Sequence, residues 1–359
     1  MLVSPRNLYW ISGFLLLAIA KTCHAEVIEL HGKLAIDKPV NYKNATLNMA
    51  DGRFTVNAGG SLEIENSTIN IVVSAENPYF VYMNDGSLHL KNNTVNVTVD
   101  GLIPAASTQS FYQFIQLQRG VVNLEGNAFY NNIPFTLGFF TTRDAMTAGI
   151  TIKNNIIRNF HGGIYLVKSD HANVEDNTFE NVSNANIYTI GHANSLKRNV
   201  FIFPGNLTVG NAIEAVNSND LDISYNMVMS AAKYGIYLNG CQNINIANNK
   251  ISDGSTYAIY LERNSYISIT NNYFSQNRYG ISGNSLDYIT VEKNTFIQRF
   301  ATNKLRQYWT DNTILLRMTT NLRWTDNVYK EAFTQEVPGD NSNTLRFVTF
   351  PQAGGVFLT

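Results

Sequence analysis

Two histidines at matching points of successive segments are the side chains here best suited to moving protons. His171 ends the phrase Lys168-Ser-Asp170-His171, which follows Tyr165, and His192 follows Tyr188 by four residues. Glu214 stands at the equivalent of those tyrosines one segment later. Eliminating across a uronic-acid linkage, or inverting its C5, needs a cation on the carboxylate, a base for the C5 proton and an acid opposite. Lys168 or Arg143 could serve as the cation, His171 or His192 as the base, and Tyr165 or Tyr188 as the acid. Hydrolysis instead needs two carboxylates flanking the bond, for which Glu214 with Asp170 or Glu262 is the available choice. The bland alternative is that Asp170 and the histidines only satisfy turn backbone, as polar turn residues usually do. Metal chemistry has thin support. His171, His192 and Asp170 lack a tight His-x-His spacing and there is no paired-cysteine motif. The expectation is no metal and no cofactor, with calcium between Asp170 and Glu214 left open.

The element that must position these residues is a repeat. Ile152-Lys-Asn-Asn155-Ile, Val174-Glu-Asp-Asn177-Thr-Phe, Leu196-Lys-Arg-Asn199-Val-Phe and Ile223-Ser-Tyr-Asn226-Met-Val share one frame. Ile246-Ala-Asn-Asn249-Lys-Ile, Ile269-Thr-Asn-Asn272-Tyr-Phe and Val291-Glu-Lys-Asn294-Thr-Phe continue it, at intervals of 22, 22, 27, 23, 23 and 22 residues. A second phrase, as in Gly163-Ile-Tyr-Leu166 and Gly235-Ile-Tyr-Leu238, recurs about 12 residues before the later asparagines. Each period holds short alternating strands and no 3.6-residue apolar pattern, so the unit is all-β. Coils of this length stack at about 4.8 Å per rung. The fold class is therefore all-β, a single-domain right-handed parallel β-helix of about ten coils with terminal caps. The repeated asparagine reads as an internal ladder that Ser67, Asn93 and Asn127 extend. Phe179, Phe201, Val228, Ile251, Phe274 and Phe296 read as a core stack.

Alternation along a strand then sorts the second phrase, with Ile164 and Leu166 inward and Tyr165 outward. Stacked rungs give one outward column of Tyr82, Gln116, Gly138, Tyr165, Tyr188, Glu214, Tyr237, Tyr260, Ser282 and Leu315. The next outward column runs Asn84, Gln118, Phe140, Val167, Ile190, Val216, Asn239, Glu262, Asn284 and Arg317. Arg119, Lys168 and Arg263 follow in the turn. Aromatic rings beside cations suit an acidic glycan, with rings on sugar C–H faces and Arg or Lys on uronate carboxylates. The competing account is that outward tyrosines stack on one another because tyrosine is a good strand residue. Substrate contacts are expected from Tyr188, Tyr237, Tyr260, Glu262, Arg263, Arg119 and Arg143, and chemistry from His171, His192, Tyr165, Lys168 and Glu214.

The whole chain carries a net charge of −1. Residues 1–25 contain Arg6 and Lys21 and no acid, so without them 24 basic face 27 acidic residues, a net −3. That excludes a generally basic nucleic-acid binder. The polar load is carried instead by 48 asparagines. Met1–Ala25 reads as a signal peptide, with Arg6, an apolar centre from Ile11 to Ala20 and the small-residue end Cys23-His-Ala25. The expected product is a periplasmic or secreted monomer that meets polysaccharide, not nucleic acid and not membrane. Cys241 remains as one thiol, read as a turn residue. Residues 26–57 are expected to cap the N-terminal end, 58–328 to form the β-helix, and 329–359 to cap or trail from its C-terminal end. Loops are expected near 100–110, 140–148 and 297–313.

The Asn-x-Phe ladder with its Gly-Ile-Tyr-Leu phrases resembles the parallel β-helix repeats of the carbohydrate-binding and sugar-hydrolase superfamily, over residues 58 to 330. That group includes mannuronan C5-epimerases, β-helical polysaccharide lyases and a periplasmic accessory protein of nitrous oxide reductase maturation. The epimerases carry Tyr-Gly-Phe-Asp-Pro-His. Here Tyr165, Asp170 and His171 follow in that order, with wider spacing and no proline. The resemblance implies an exported protein acting on an acidic exopolysaccharide, most simply a lyase or C5-epimerase. The alternative it implies is a non-catalytic periplasmic carbohydrate-binding or scaffold protein of polysaccharide export or metalloenzyme maturation.

Overall fold

The structure is a computed structural model describing residues 26–332 apart from 77, 102–112, 144–148, 204–209, 230–232, 253–255, 278 and 300–313. The expected signal peptide and the tail beyond 332 lie outside the described residues, as does much of each expected loop. Every regular element described is a strand, and all strand pairs are parallel. Each turn of the coil runs through three strands, for example Gly162–Val167, Asn173–Glu175 and Thr178–Glu180. The third strands form a 13-stranded sheet, and the first two run together into a 22-stranded one. This is the expected right-handed parallel β-helix. The segment expected as an N-terminal cap forms strands in register with later rungs, Glu26–Glu29 on Ala45–Met49 and Pro39–Lys43 on Gly60–Glu65.

The ladder is continuous. Asn93 Nδ2 donates to Asn127 Oδ1, and so on through Asn155, Asn177, Asn199, Asn226, Asn249, Asn272, Asn294 and Asn327, at 2.9–3.1 Å. Each amide also bonds backbone in the neighbouring rungs, as when Asn249 Nδ2 donates to Ile223 O at 2.9 Å. Buried amides that use every bond in this way fix the register of each coil. The residue before each ladder asparagine is left-handed, from Asn154 (φ 56°) through Arg198 (53°), Tyr225 (59°) and Asn271 (55°) to Lys293 (56°). Asparagine adopts that conformation at low cost. The ladder bonds hold even arginine, tyrosine and lysine in it.

Inside, Phe179, Phe201, Val228, Ile251, Phe274 and Phe296 pair in one buried column as expected. A second, shorter ladder lines the turn after the tyrosine strands. Asn194, Ser218, Cys241 and Asn264 bond back to Ser169 O, Thr189 O, Ala215 O and Leu238 O respectively. Cys241 is thus a buried turn residue whose thiol does the work of an amide, and burial pushes its pKa up.

Candidate functional site

Strand pairing puts Tyr165, Tyr188, Glu214, Tyr237, Tyr260 and Ser282 in one outward column. Val216, Asn239, Glu262, Asn284 and Arg317 form the next one. One rung differs from expectation. Gly138 and Phe140 do not lie in these columns, because Phe140 pairs with Ile115 and Ile164 and is fully buried. Thr141 takes the first position, between Gln116 and Tyr165. Arg143 falls beside Gln118 in the second, its N–H donating to Leu117 O at 2.9 Å. The slip of three residues arises because Phe139 and Phe140 are both buried, Phe139 against Phe129 and Phe160. A core-x-core pattern therefore matched the wrong pair.

The outward tyrosines stack on one another. Tyr165 lies on Tyr188 with ring centroids 5.3 Å apart, and Tyr237 on Tyr260 at 5.8 Å. Tyr234 and Tyr257, which sequence reasoning passed over, join the same surface, and Tyr279, also passed over, packs buried against Tyr257. Tyr234 contacts Tyr237 at 5.1 Å and Tyr260 at 5.2 Å, while Tyr257 contacts Tyr260 at 5.0 Å and Tyr279 at 4.7 Å. Lys233 Nζ sits 4.9 Å over the Tyr234 ring. Stacked rings cover each other's faces, so the surface offers ring edges and phenol hydroxyls more than open ring faces. The signal that could have found the extra three is Tyr-x-Ile in Tyr234-Gly-Ile, Tyr257-Ala-Ile and Tyr279-Gly-Ile.

Beside this patch, four side chains form a polar network. Tyr237 OH donates to Glu262 Oε2 at 3.2 Å and accepts from Asn239 Nδ2 at 3.0 Å. Asn239 Oδ1 accepts from Arg263 at 2.8 Å, and Arg263 Nε lies 4.0 Å from Glu262 Oε1. Burial pushes the Tyr237 pKa up to about 12. Burial, with Glu214 nearby, also raises Tyr165 and Tyr188. These phenols therefore stay protonated at neutral pH and serve as donors. Glu214 accepts from Asn211 Nδ2 at 2.7 Å.

The histidines lie elsewhere. His171 and His192 do meet, with ring centroids 5.9 Å apart at 84°, on the exposed corner after the second column. His192 Nδ1 contacts Asp220 Oδ2 at 2.9 Å, and the His192 N–H donates to Asp170 Oδ1 at 2.8 Å. Tyr165 is turned the other way, its ring packed over Gly162 at the start of its strand. Tyr165 and Lys168 are three residues apart, roughly 10 Å in an extended strand. The expected meeting of His171, His192, Tyr165 and Lys168 at one point is therefore not what the structure assembles. His161 is held by Ser183 Oγ at 3.0 Å, with its pKa lowered by burial. Glu214 and Glu262 stand two rungs and two residues apart, roughly 12 Å between their backbones, on either side of Tyr237. Arg119 and Arg143, exposed and on neighbouring rungs, lead to Lys168 on the next, forming a cationic edge.

Fold and face together define a parallel β-helix with a tyrosine-rich, hydrogen-bonding lateral surface. Solved structures share the architecture. The periplasmic alginate epimerase AlgG matches at 13% identity over 79% of this chain and 77% of that one, with a TM-score of 0.51. The Azotobacter vinelandii mannuronan C-5 epimerase AlgE6 A-module matches at 12% identity over 83% and 91%, at 0.42. DFA-IIIase from Arthrobacter chlorophenolicus A6 in complex with GF2 matches at 15% over 83% and 77%, at 0.45. At these identities the likeness concerns the fold. No curated protein matches the sequence. Residues 141–330, more than half of the chain, match the family described as "Periplasmic copper-binding protein (NosD)", and the chain belongs to that family.

The family description names copper, and the donor set here does not fit a closed copper site. Among the described residues no three or more His, Cys, Asp or Glu side chains gather where they could hold a metal. The Cys241 sulfur is buried against the Ala215 carbonyl. His192 has one ring nitrogen on Asp220, which leaves a lone pair of imidazoles at the corner. The carboxylates considered for calcium, Asp170 and Glu214, bond to different partners in different columns.

Proposed function

We propose that this protein works outside the cytoplasm and binds a uronate-containing polysaccharide along its tyrosine face. The observation that carries this reading is the joined surface of Tyr234, Tyr237, Tyr257 and Tyr260, backed by the buried Tyr279 and bordered by Glu214, Glu262, Lys233 and Arg263. Phenol hydroxyls, amides and carboxylates in rows match the alternating donors and acceptors of sugar hydroxyls, while ring edges pack on sugar carbon. Arg119, Arg143 and Lys168 continue along one edge at about one cation per 4.8 Å rung, which suits a chain with repeating carboxylates. The word "periplasmic" in the family description supports the location.

The reaction class we infer is removal of the C5 proton with elimination following, at the Tyr237 network rather than at the histidines. Arg263 would neutralise the uronate carboxylate. Glu262 would take the C5 proton, and Tyr237 would give its proton to the departing C4 oxygen as the C4–C5 double bond forms. The 3.2 Å Tyr237–Glu262 bond then offers a path to return the proton to the phenol. Inversion would instead need an acid on the far face of C5, a position that Tyr237, 3.2 Å from Glu262, does not hold. A second reading, a non-catalytic carbohydrate-binding or scaffold protein of polysaccharide export or metalloenzyme maturation, is favoured by the family match. Incubation with polygalacturonate, polymannuronate and hyaluronate separates the two. Absorbance rising near 235 nm, or a changed C5 configuration by NMR, supports the enzyme. Binding without either supports a non-catalytic carbohydrate-binding protein, and no binding sinks both polysaccharide readings and leaves the scaffold of metalloenzyme maturation.

A further inference from the structure

The turn that carries Arg263 ends on an exposed tyrosine. Strand register places Asp220, Asn243, Tyr266, Tyr288 and Asn321 in one column, along the corner that follows the tyrosine strands. All five are left-handed, at φ 54°, 60°, 55°, 52° and 50°. Aspartate and asparagine adopt that conformation readily, whereas a bulky tyrosine there is strained. Tyr266 and Tyr288 are also 50% and 49% exposed, so burial does not offset the strain. Their rings stack with centroids 4.8 Å apart and 6° between planes. One exposed stack returns less than two strained residues cost. Stability alone would favour the asparagine found on either side of the pair.

The surroundings of Tyr266 suit a ligand. Asn243 Nδ2 donates to Asp220 Oδ1 on the rung before, so its amide is turned away from the Tyr266 ring. Arg263, on the same rung as Tyr266, reaches back the other way and donates to Asn239 Oδ1 at 2.8 Å. Arg263 and Tyr266 are three residues apart, within about 10 Å of each other. Both therefore border the turn of the preceding rung that follows Asn239. That turn offers Gly240, the buried Cys241 and the exposed amide of Gln242. A cation and an exposed ring thus flank a short polar step beside the Tyr237 network.

We propose that Tyr266, backed by Tyr288, is a stacking platform for the sugar unit next to the one held by Arg263, so that the polymer crosses the corner of the coil. The proposal rests on the polysaccharide reading above and deepens it. One sugar packs its C–H face on the Tyr266 ring, while the carboxylate of its neighbour meets Arg263. Gln242 supplies a donor and an acceptor for hydroxyls between them. Two acids of the corner are already engaged. Asp287 Oδ1 accepts from Thr320, Asn321 and the Tyr288 N–H at 2.5, 2.7 and 3.1 Å, and Asp220 is held by Asn243 and His192. Both repel a carboxylate, so a uronate stacked on Tyr266 turns its carboxylate outward into solvent.

Tyr266→Asn gives this position the residue of its neighbours in the column and tests the platform. Melting temperature is expected to stay the same or rise, because the left-handed strain is relieved. Affinity for whichever of hyaluronate, polygalacturonate and polymannuronate the wild type binds is expected to fall about tenfold or more. Tyr266→Phe keeps the ring and loses one exposed hydroxyl, so its affinity should stay within about twofold of wild type. An equal loss in Tyr266→Phe would assign the contact to the hydroxyl and overturn the stacking. Unchanged affinity in Tyr266→Asn, alongside loss in Tyr260→Ala, would remove the platform and leave the tyrosine face standing. A melting temperature several degrees lower with unchanged affinity would make the pair a structural stack and overturn the platform as well. If the wild type binds none of the three polymers, the polysaccharide reading falls and the platform falls with it.

Discussion

The Tyr237 hydroxyl reaches across one rung to the Glu262 carboxylate at 3.2 Å, and this bond joins the aromatic surface to its charged border. Asn239 and Arg263 complete the group from the same two rungs. Tyr237→Phe keeps the ring stack with Tyr234 and Tyr260 and loses only the hydroxyl. It is expected to fold with a near-native melting temperature and to lower turnover of a uronate polymer by about 100-fold or more, the usual worth of a general acid. Kinetics at 235 nm check this, and wild-type turnover in the variant would remove Tyr237 from the chemistry.

The histidine corner gives the opposite expectation. His171→Ala and His192→Ala should each fold normally and leave polymer binding and turnover within about twofold of wild type, because exposed pairs such as His192–Asp220 contribute little. Steady-state assays of both variants decide it. A large loss in either would return the chemistry to the corner.

Ladder and face differ in stability in a way that the register dictates. Asn249→Ala removes the acceptor of the Asn226 side-chain amide and backbone N–H, leaves Asn272 Oδ1 with only the backbone donor of residue 249, and should cost about 1–3 kcal/mol. Asn239→Ala, on the outer face, should cost far less. Chemical denaturation of the two variants side by side measures the difference, and equal losses would contradict the register.

Alkaline pH should loosen the tyrosine face. The folded pKa of Tyr237 is raised to about 12, and those of Tyr165, Tyr188 and Tyr234 are raised as well, in each case chiefly by burial. A phenol protonated in the folded state but ionised when unfolded contributes stability below pH 10, and that contribution is lost as pH rises through the folded pKa. Melting temperature should therefore fall between pH 10 and 12 as tyrosinate absorbance appears. Tyr237→Phe should fall less steeply. Identical profiles would mean that Tyr237 titrates as if exposed.

Much of this was readable in the chain because the ladder asparagines recur at one spacing and each must meet its copy. The outward tyrosines were readable for the same reason, since alternation from Ile236 and Ile259 puts Tyr237 and Tyr260 outside. Alternation failed at the corner that begins each of these strands. Gly235 and Ile236 are both buried, as are Ala258 and Ile259, so Tyr234 and Tyr257 face outward where strict alternation turns them in. The doubly buried Phe139 and Phe140 misled the register at Arg143 in the same way. Proximity of His171 to Tyr165 in sequence did not become proximity of side chains, because the phenol folds back over Gly162 while the turn carries the imidazole forward. Side-chain direction at a corner depends on local packing that spacing alone does not encode.

Hydrogen exchange on the whole protein, with and without saturating uronate polymer, tests the central claim most directly. Protection is predicted at the strands Tyr234–Asn239 and Tyr257–Glu262 and in the turn through Arg263, with little change at His171, His192 and the ladder strand Lys250–Ser252. Protection confined to the histidine corner, or none with any uronate polymer, would contradict a polysaccharide site on the tyrosine face.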